Sequence, residues 1–172
     1  SPGCKLTSII KTVSEMGCVL PVPEKHSVLR MFDNFQSDLF TQIDNLSYVL
    51  CNEAQFYDLF TSDLDACRKT AVILSPYLTA RRITLLESTL RELKAKKVKT
   101  VVWTKDPLDL GTTAEAHEQC SEMLKKLGLK VIFRSGTHEK AVILDGEIAY
   151  YGSLNPLSQR DTRETMLRVK DE

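Results

Sequence analysis

His138 and Lys140, Asp145, then Gly152, Ser153 and Asn155 give the spacing HxKx4Dx6GSxN, and these are the residues of the chain best suited to chemistry. On an extended strand alternate side chains share a face, so His138 and Lys140 are expected on one side and Glu139 and Ala141 on the other. An imidazole and an ammonium then reach one bound anion. Ser153 and Asn155, again two apart, are expected to donate hydrogen bonds to the same anion, and Gly152 permits close backbone approach. A histidine so placed can attack phosphorus and form a phosphohistidine, which splits one difficult displacement into two easier ones. Lysine and asparagine, with no acidic group facing the anion, stabilise the charge spread over its equatorial oxygens. No metal or other cofactor is expected, since no cluster of Asp and Glu has metal-ligand spacing. For His138 alone, a solvated surface histidine would be the ordinary reading. Six specified positions at fixed spacing reverse it.

These residues need a strand, a turn and a returning strand. Ala141–Leu144 and Ile148–Tyr151 are short apolar runs separated by Asp145-Gly146-Glu147, which predicts a hairpin. Asp145 has the opposite parity to Lys140. Two roles stay open for it, a catalytic one and a structural one that caps the turn through backbone hydrogen bonds. Upstream, Ala71–Leu74, Val98–Thr104 and Leu129–Phe133 read as buried strands, alternating with helices over 80–96 and Thr112–Leu127, the latter stopped by Gly128. Thr165–Val169 is one more weak strand. The pattern predicts an α/β fold, a mostly parallel mixed sheet flanked by helices. Glu53–Ala66 carries Phe56, Leu59, Phe60 and Leu64 on one helical face, and Leu29, Phe32, Phe35, Leu39 and Ile43 repeat at the same spacing. Residues 1–45 are read as an N-terminal helical extension and 46–172 as the catalytic domain.

The HxK, Asp and GSxN pattern resembles the HKD signature of the phospholipase D superfamily, and the likeness covers about residues 50–172. It implies one phospholipase-D-like half, with His138 as nucleophile and Lys140, Ser153 and Asn155 holding the phosphate. Glu164 stands where the family has an acidic residue that orients the histidine. Gly-Ser-Leu-Asn-Pro-Leu-Ser-Gln-Arg, Arg-Glu-Thr-Met and the Ser-Pro-Tyr after the first buried strand are similar to single-HKD domains at the ends of nucleic-acid helicases. The resemblance therefore implies a metal-independent DNA nuclease carried by a longer helicase-like chain. The family's reaction uses two histidines, one to attack and one to protonate the leaving oxygen. This chain has one HxK, because His26 and His117 are followed two positions later by Val28 and Gln119. A homodimer sharing one active site is the expected solution.

Composition narrows the rivals. The 23 basic residues equal the 23 acidic ones, so a nucleic-acid substrate must be gripped locally or delivered by the parent chain. Arg160, Arg163 and Arg168 follow the GSxN segment, and Arg160 or Arg163 is expected on substrate phosphate. Five cysteines without a CxxC pair fit a reduced, cytoplasmic setting. No apolar run approaches the ~20 residues of a membrane span. A phospholipid-cleaving enzyme with the same chemistry is the first rival, but no basic, aromatic-flanked amphipathic helix accompanies it. A non-catalytic nucleic-acid-binding module is the second, and the joint presence of His138, Lys140, Asn155 and Glu164 argues against it. His117 and Cys120 share a helix face, yet two ligands do not make a metal site. The Arg91, Lys94, Lys96, Lys97 and Lys99 cluster reads as a solvated helix end.

Overall fold

The structure, a computed structural model, describes residues 46–158 and 164–171. The predicted helix around Leu29–Ile43 lies outside them. Seven strands form one sheet: β1 (Leu46–Asn52), β2 (Thr70–Leu74), β3 (Lys99–Lys105), β4 (Lys130–Arg134), β5 (Ala141–Leu144), β6 (Ile148–Gly152) and β7 (Thr165–Asp171). Their order across the sheet is β1-β7-β6-β5-β2-β3-β4. Among the described residues four α-helices accompany them: α1 (Glu53–Ala66), α2 (Ala80–Leu85), α3 (Glu87–Ala95) and α4 (Ala114–Lys126).

The α/β class and the flanking helices agree with the sequence, but the sheet is not mostly parallel. Only β2–β3 and β3–β4 run parallel. The pairs β1–β7, β6–β7, β5–β6 and β2–β5 are antiparallel. Connection length is the cause: helices give the chain room to cross back between β2, β3 and β4, whereas the tight turn after β5 permits only an antiparallel return. That three-residue connection takes positive φ at Asp145 (54°) and Gly146 (79°), and the Glu147 amide closes the turn on the Leu144 carbonyl at 2.9 Å. Strand β1 was not foreseen. Its residues Tyr48, Val49 and Leu50 are exposed and its partner β7 lies at the far end of the chain, so local pattern carries little sign of it.

The helices cover one face of the sheet. Phe56, Phe60 and Leu64 of α1, Ile83 of α2, Leu90 and Leu93 of α3, and Leu124 of α4 pack against Ile73, Val102, Val142, Tyr150 and Met166. Asn52 starts α1 with a capping box, accepting from the Gln55 amide at 3.0 Å while its own amide donates to the Gln55 side chain at 3.2 Å. The single helix expected over 80–96 is two, because Leu86 leaves helical geometry and its side chain is buried with Ile83 and Leu90. The other sheet face holds Val72, Leu74, Ala141, Ile143 and Val169, with Trp103, Tyr151 and Leu167 half-buried beside them. A polar lock ties α1 to the antiparallel half. Arg168 of β7 donates to both Asp63 oxygens at 2.7 and 2.9 Å, and the Tyr150 hydroxyl donates to the same carboxylate. The Asp63 hydrogen bond is the main cause that raises the Arg168 pKa. Arg168, grouped by sequence with the arginines after GSxN, is thus a structural residue.

Candidate active site

The parallel strands β2, β3 and β4 end at one edge of the sheet, where β5 begins, β6 finishes and β7 starts. Ligand sites of such sheets form outside the carboxyl ends of parallel strands. An open pocket of about 430 Å3 lies there, lined by Tyr77, His138, Glu139, Lys140, Tyr151, Gly152, Ser153, Asn155 and Glu164. The structure therefore brings His138, Lys140, Ser153 and Asn155 together, as their spacing predicts, with Glu164, expected from the resemblance, in the same pocket. Arg160 and Arg163 lie outside the described residues.

The local geometry of the HxK segment differs from the expectation. Residues 137–140 precede β5 and are not a regular strand, and Glu139 lines the pocket with its neighbours on both sides. Its carboxylate accepts from Thr137 Oγ1 at 2.8 Å and from the His138 amide at 3.0 Å. Burial alone would raise the Glu139 pKa, but these hydrogen bonds outweigh it and hold the carboxyl below the usual range. With Glu164 also present, the anion site is not free of acidic groups. His138 is exposed, whereas Lys140 is only 8% exposed. The ammonium donates to the His138 carbonyl at 2.6 Å, which couples the two motif residues through the backbone. Burial lowers the Lys140 pKa and Lys105 adds to this, while Glu164, Tyr77 and Glu139 oppose it.

On the opposite wall the chain after β6 is held from several directions. At Gly152 an added Cβ would lie 2.2 Å from the Thr165 carbonyl oxygen and 2.9 Å from Met166 Cα, both backbone atoms, so glycine is required where β6 passes β7. The Ser153 hydroxyl accepts from the Thr165 amide at 3.1 Å, and the Ser153 amide donates to the Thr165 carbonyl at 3.0 Å. Ser153 thus joins the GSxN wall to the start of β7, beside Glu164, in addition to lining the pocket. Asn155 is 6% exposed, and its side-chain oxygen is buried without a hydrogen-bond partner. Exchanging the indistinguishable amide O and N would aim a donor into the same place. Either way this amide retains bonding capacity for a ligand, and a buried polar group left unsatisfied is costly without one.

Tyr57 secures the backbone behind Asn155. Its hydroxyl lies 3.3, 3.4 and 3.1 Å from the carbonyl oxygens of Asn155, Pro156 and Ser158, as the donor to this cluster. The Arg82 guanidinium sits 3.3 Å from the Tyr57 ring centroid and 3.3 Å from Glu53. Ser75 completes the support, accepting from the Leu157 amide at 3.0 Å and donating to the Tyr77 carbonyl at 2.8 Å. Sequence reasoning noted Ser-Pro-Tyr only as part of a likeness. Its function is to link the end of β2 to the segment after GSxN.

Asp145 stands at the far end of β5, outside the pocket. Its carboxylate accepts from the amides of Arg68, Lys69 and Thr70 at 2.7, 2.7 and 2.8 Å and from the Cys67 thiol at 3.2 Å. Burial would raise its pKa, but these donors prevail and lower it. Of the two roles left open by the sequence, this geometry fits the structural one; the aspartate ties the β5–β6 turn to the start of β2. His117 is also internal, with Nε2 3.0 Å from Thr104 Oγ1, and burial lowers its pKa.

No protein-family model and no curated protein matches the chain in sequence. Solved structures do match in fold. A phospholipase D family member, Nuc from Salmonella typhimurium, superposes with a TM-score of 0.61 at 16% identity, covering 73% of this chain and 84% of that one. NucT from Helicobacter pylori gives 0.58 at 16% identity, covering 73% and 86%. The phosphatidylserine synthase of Haemophilus influenzae gives 0.57 at 16% identity and covers 89% of this chain, which spans 43% of that enzyme. Among the described residues no helix is long and apolar enough to cross a membrane. The seven-stranded sheet with its flanking helices is therefore the phospholipase D fold.

Proposed function

We propose that the chain is a metal-independent phosphodiesterase of the phospholipase D superfamily, acting on DNA through a phosphohistidine. The observation that carries this reading is the meeting of His138, Lys140, Asn155 and Glu164 in one open pocket, although 26 positions separate the first from the last. An imidazole nitrogen of His138 attacks phosphorus, and the bond to the leaving oxygen breaks as that oxygen takes a proton. Water then attacks the phosphohistidine, giving a phosphomonoester and free histidine. Lys140 and Asn155 hold the non-bridging oxygens, and Glu164 orients His138.

The proton donor for the leaving oxygen is a second histidine, and we assign it to His138 of a second copy, so that a homodimer shares one cleft. Residues 46–172 are the catalytic unit and 1–45 an extension, within a longer helicase-like protein. Substrate class is tested by offering the purified protein labelled single-stranded DNA, duplex DNA, RNA and choline phospholipid, each with and without chelator. DNA cleavage that survives chelation is expected, with an acid-labile phosphate trapped on His138. Cleavage of phospholipid alone would replace the DNA reading by the lipid one, and activity lost to chelator and regained with magnesium would end the metal-free mechanism. Sharing of the site is tested by mixing wild-type subunits with His138→Ala subunits after exchange to equilibrium. Activity should fall roughly as the square of the wild-type fraction; a linear fall would show that each subunit works alone.

A further inference from the structure

The pocket does not end at Tyr77. Strand register places Ala141, Leu74, Trp103 and Ile132 side by side across β5, β2, β3 and β4. Two positions further along, toward the edge that holds the pocket, the parallel strands carry Lys105 and Arg134 as direct neighbours. Lys105 reaches back to the pocket, its ammonium donating to the Tyr77 hydroxyl at 3.3 Å. The Arg134 guanidinium lies 3.9 Å from the Trp103 ring centroid, a contact that holds it in a fixed plane.

Among the described residues neither Lys105, Arg134 nor Lys140 forms an ion pair. Glu164 acts on Lys140 through space, and three other nearby carboxylates have donors of their own. Glu139 takes Thr137 and the His138 amide, Asp109 takes Ser135 and the Gly136 amide, and Asp106 takes the Leu108 amide. Glu139 and Asp109 still act on Arg134 and Lys105 through space. Lys105 and Lys140 meanwhile repel each other, which bound phosphate groups would relieve.

We propose that Lys105 and Arg134 form a second phosphate subsite, which holds a neighbouring phosphate of a polynucleotide whose scissile phosphate lies at His138. The inference rests on the phosphodiesterase reading above and selects its substrate class. Strands are spaced about 4.8 Å apart, so the backbone at Lys105 stands about 10 Å and that at Arg134 about 14 Å across the sheet from the strand that follows Lys140. A substrate with a single phosphate does not span that row. A polynucleotide does, and arginine on an aromatic ring next to lysine suits its backbone.

The test compares kcat/KM for an eight-residue thymidine oligonucleotide with that for a dinucleoside monophosphate, which has one phosphate. In the wild type the longer substrate should be preferred. Lys105→Ala and Arg134→Ala should each cut that preference about tenfold and reduce the salt dependence of oligonucleotide KM by about one phosphate contact. Lys105→Arg should restore most of it. An unchanged preference, or equal losses on both substrates, would overturn the subsite. Absence of wild-type cleavage on every phosphodiester would instead fail the parent reading. In that case the subsite is read from binding of the same two ligands to the His138→Ala protein by fluorescence anisotropy, where variants that bind both as their parent does would overturn it.

Discussion

Strand β5 has two different ends. Before its first residue stand His138, exposed, and Lys140, which line a pocket together with Asn155, whose side-chain oxygen has no partner. After its last residue stands Asp145, whose carboxylate takes three backbone amides and a thiol. Histidine, lysine and aspartate form one sequence signature, yet one end leaves bonding capacity open and the other fills it. A motif can thus record two physical demands at once, a site poised for a ligand and an anchor that holds its strand in register.

The comparison is broken most severely at His138. Replacement by alanine should reduce phosphodiester turnover by about 10^4-fold or more, since the proposed mechanism forms its covalent bond to phosphorus at this imidazole, while the melting temperature stays close to wild type. Steady-state rates beside a thermal melt check this, and unchanged turnover would remove His138 from the mechanism. Lys140→Met should lower kcat by about 10^2 to 10^3-fold, because a charge-neutralising donor is lost at a desolvated site. A change confined to KM would mean that lysine binds the ground state only.

At the other end Asp145→Asn should spare the chemistry and weaken the fold, by about 1–3 kcal/mol in urea unfolding at neutral pH. Folding lowers the Asp145 pKa, so its stabilisation is complete above the unfolded value of ~4 and is lost as pH falls through the folded value. The stability gap between wild type and Asp145→Asn should therefore narrow below that pH. A gap that persists at pH 2 would show that the charge is not what matters. The smallest effect belongs to Tyr57→Phe, which keeps the ring under Arg82 and removes only the hydroxyl that positions the Asn155 backbone. About a fivefold fall in kcat with KM little changed is expected, and an equal fall in stability without a kcat effect would make Tyr57 merely structural.

Much of this site was legible because its geometry is local. The spacing of His138, Lys140, Gly152, Ser153 and Asn155 anticipated a hairpin whose two sides face one pocket, and Asp145-Gly146 marked the turn. Strand parity alone failed between Thr137 and Lys140, where hydrogen bonds from Thr137 and the His138 amide help hold Glu139 in the pocket wall. Arg168 could not be separated by sequence from arginines that follow GSxN, since its partner Asp63 lies 105 positions away.

By itself the sequence determined most of the elements after residue 53, the hairpin and the candidate chemistry, because backbone propensities and side-chain periodicity act over a few residues. Tertiary structure alone decided the sheet order, the pairing of β1 with β7 and the support of Asn155 by Tyr57 and Ser75. It also set Lys105 beside Arg134 next to the pocket. Those contacts join segments tens of residues apart, and they form only once burial of the two sheet faces has chosen which strands lie side by side.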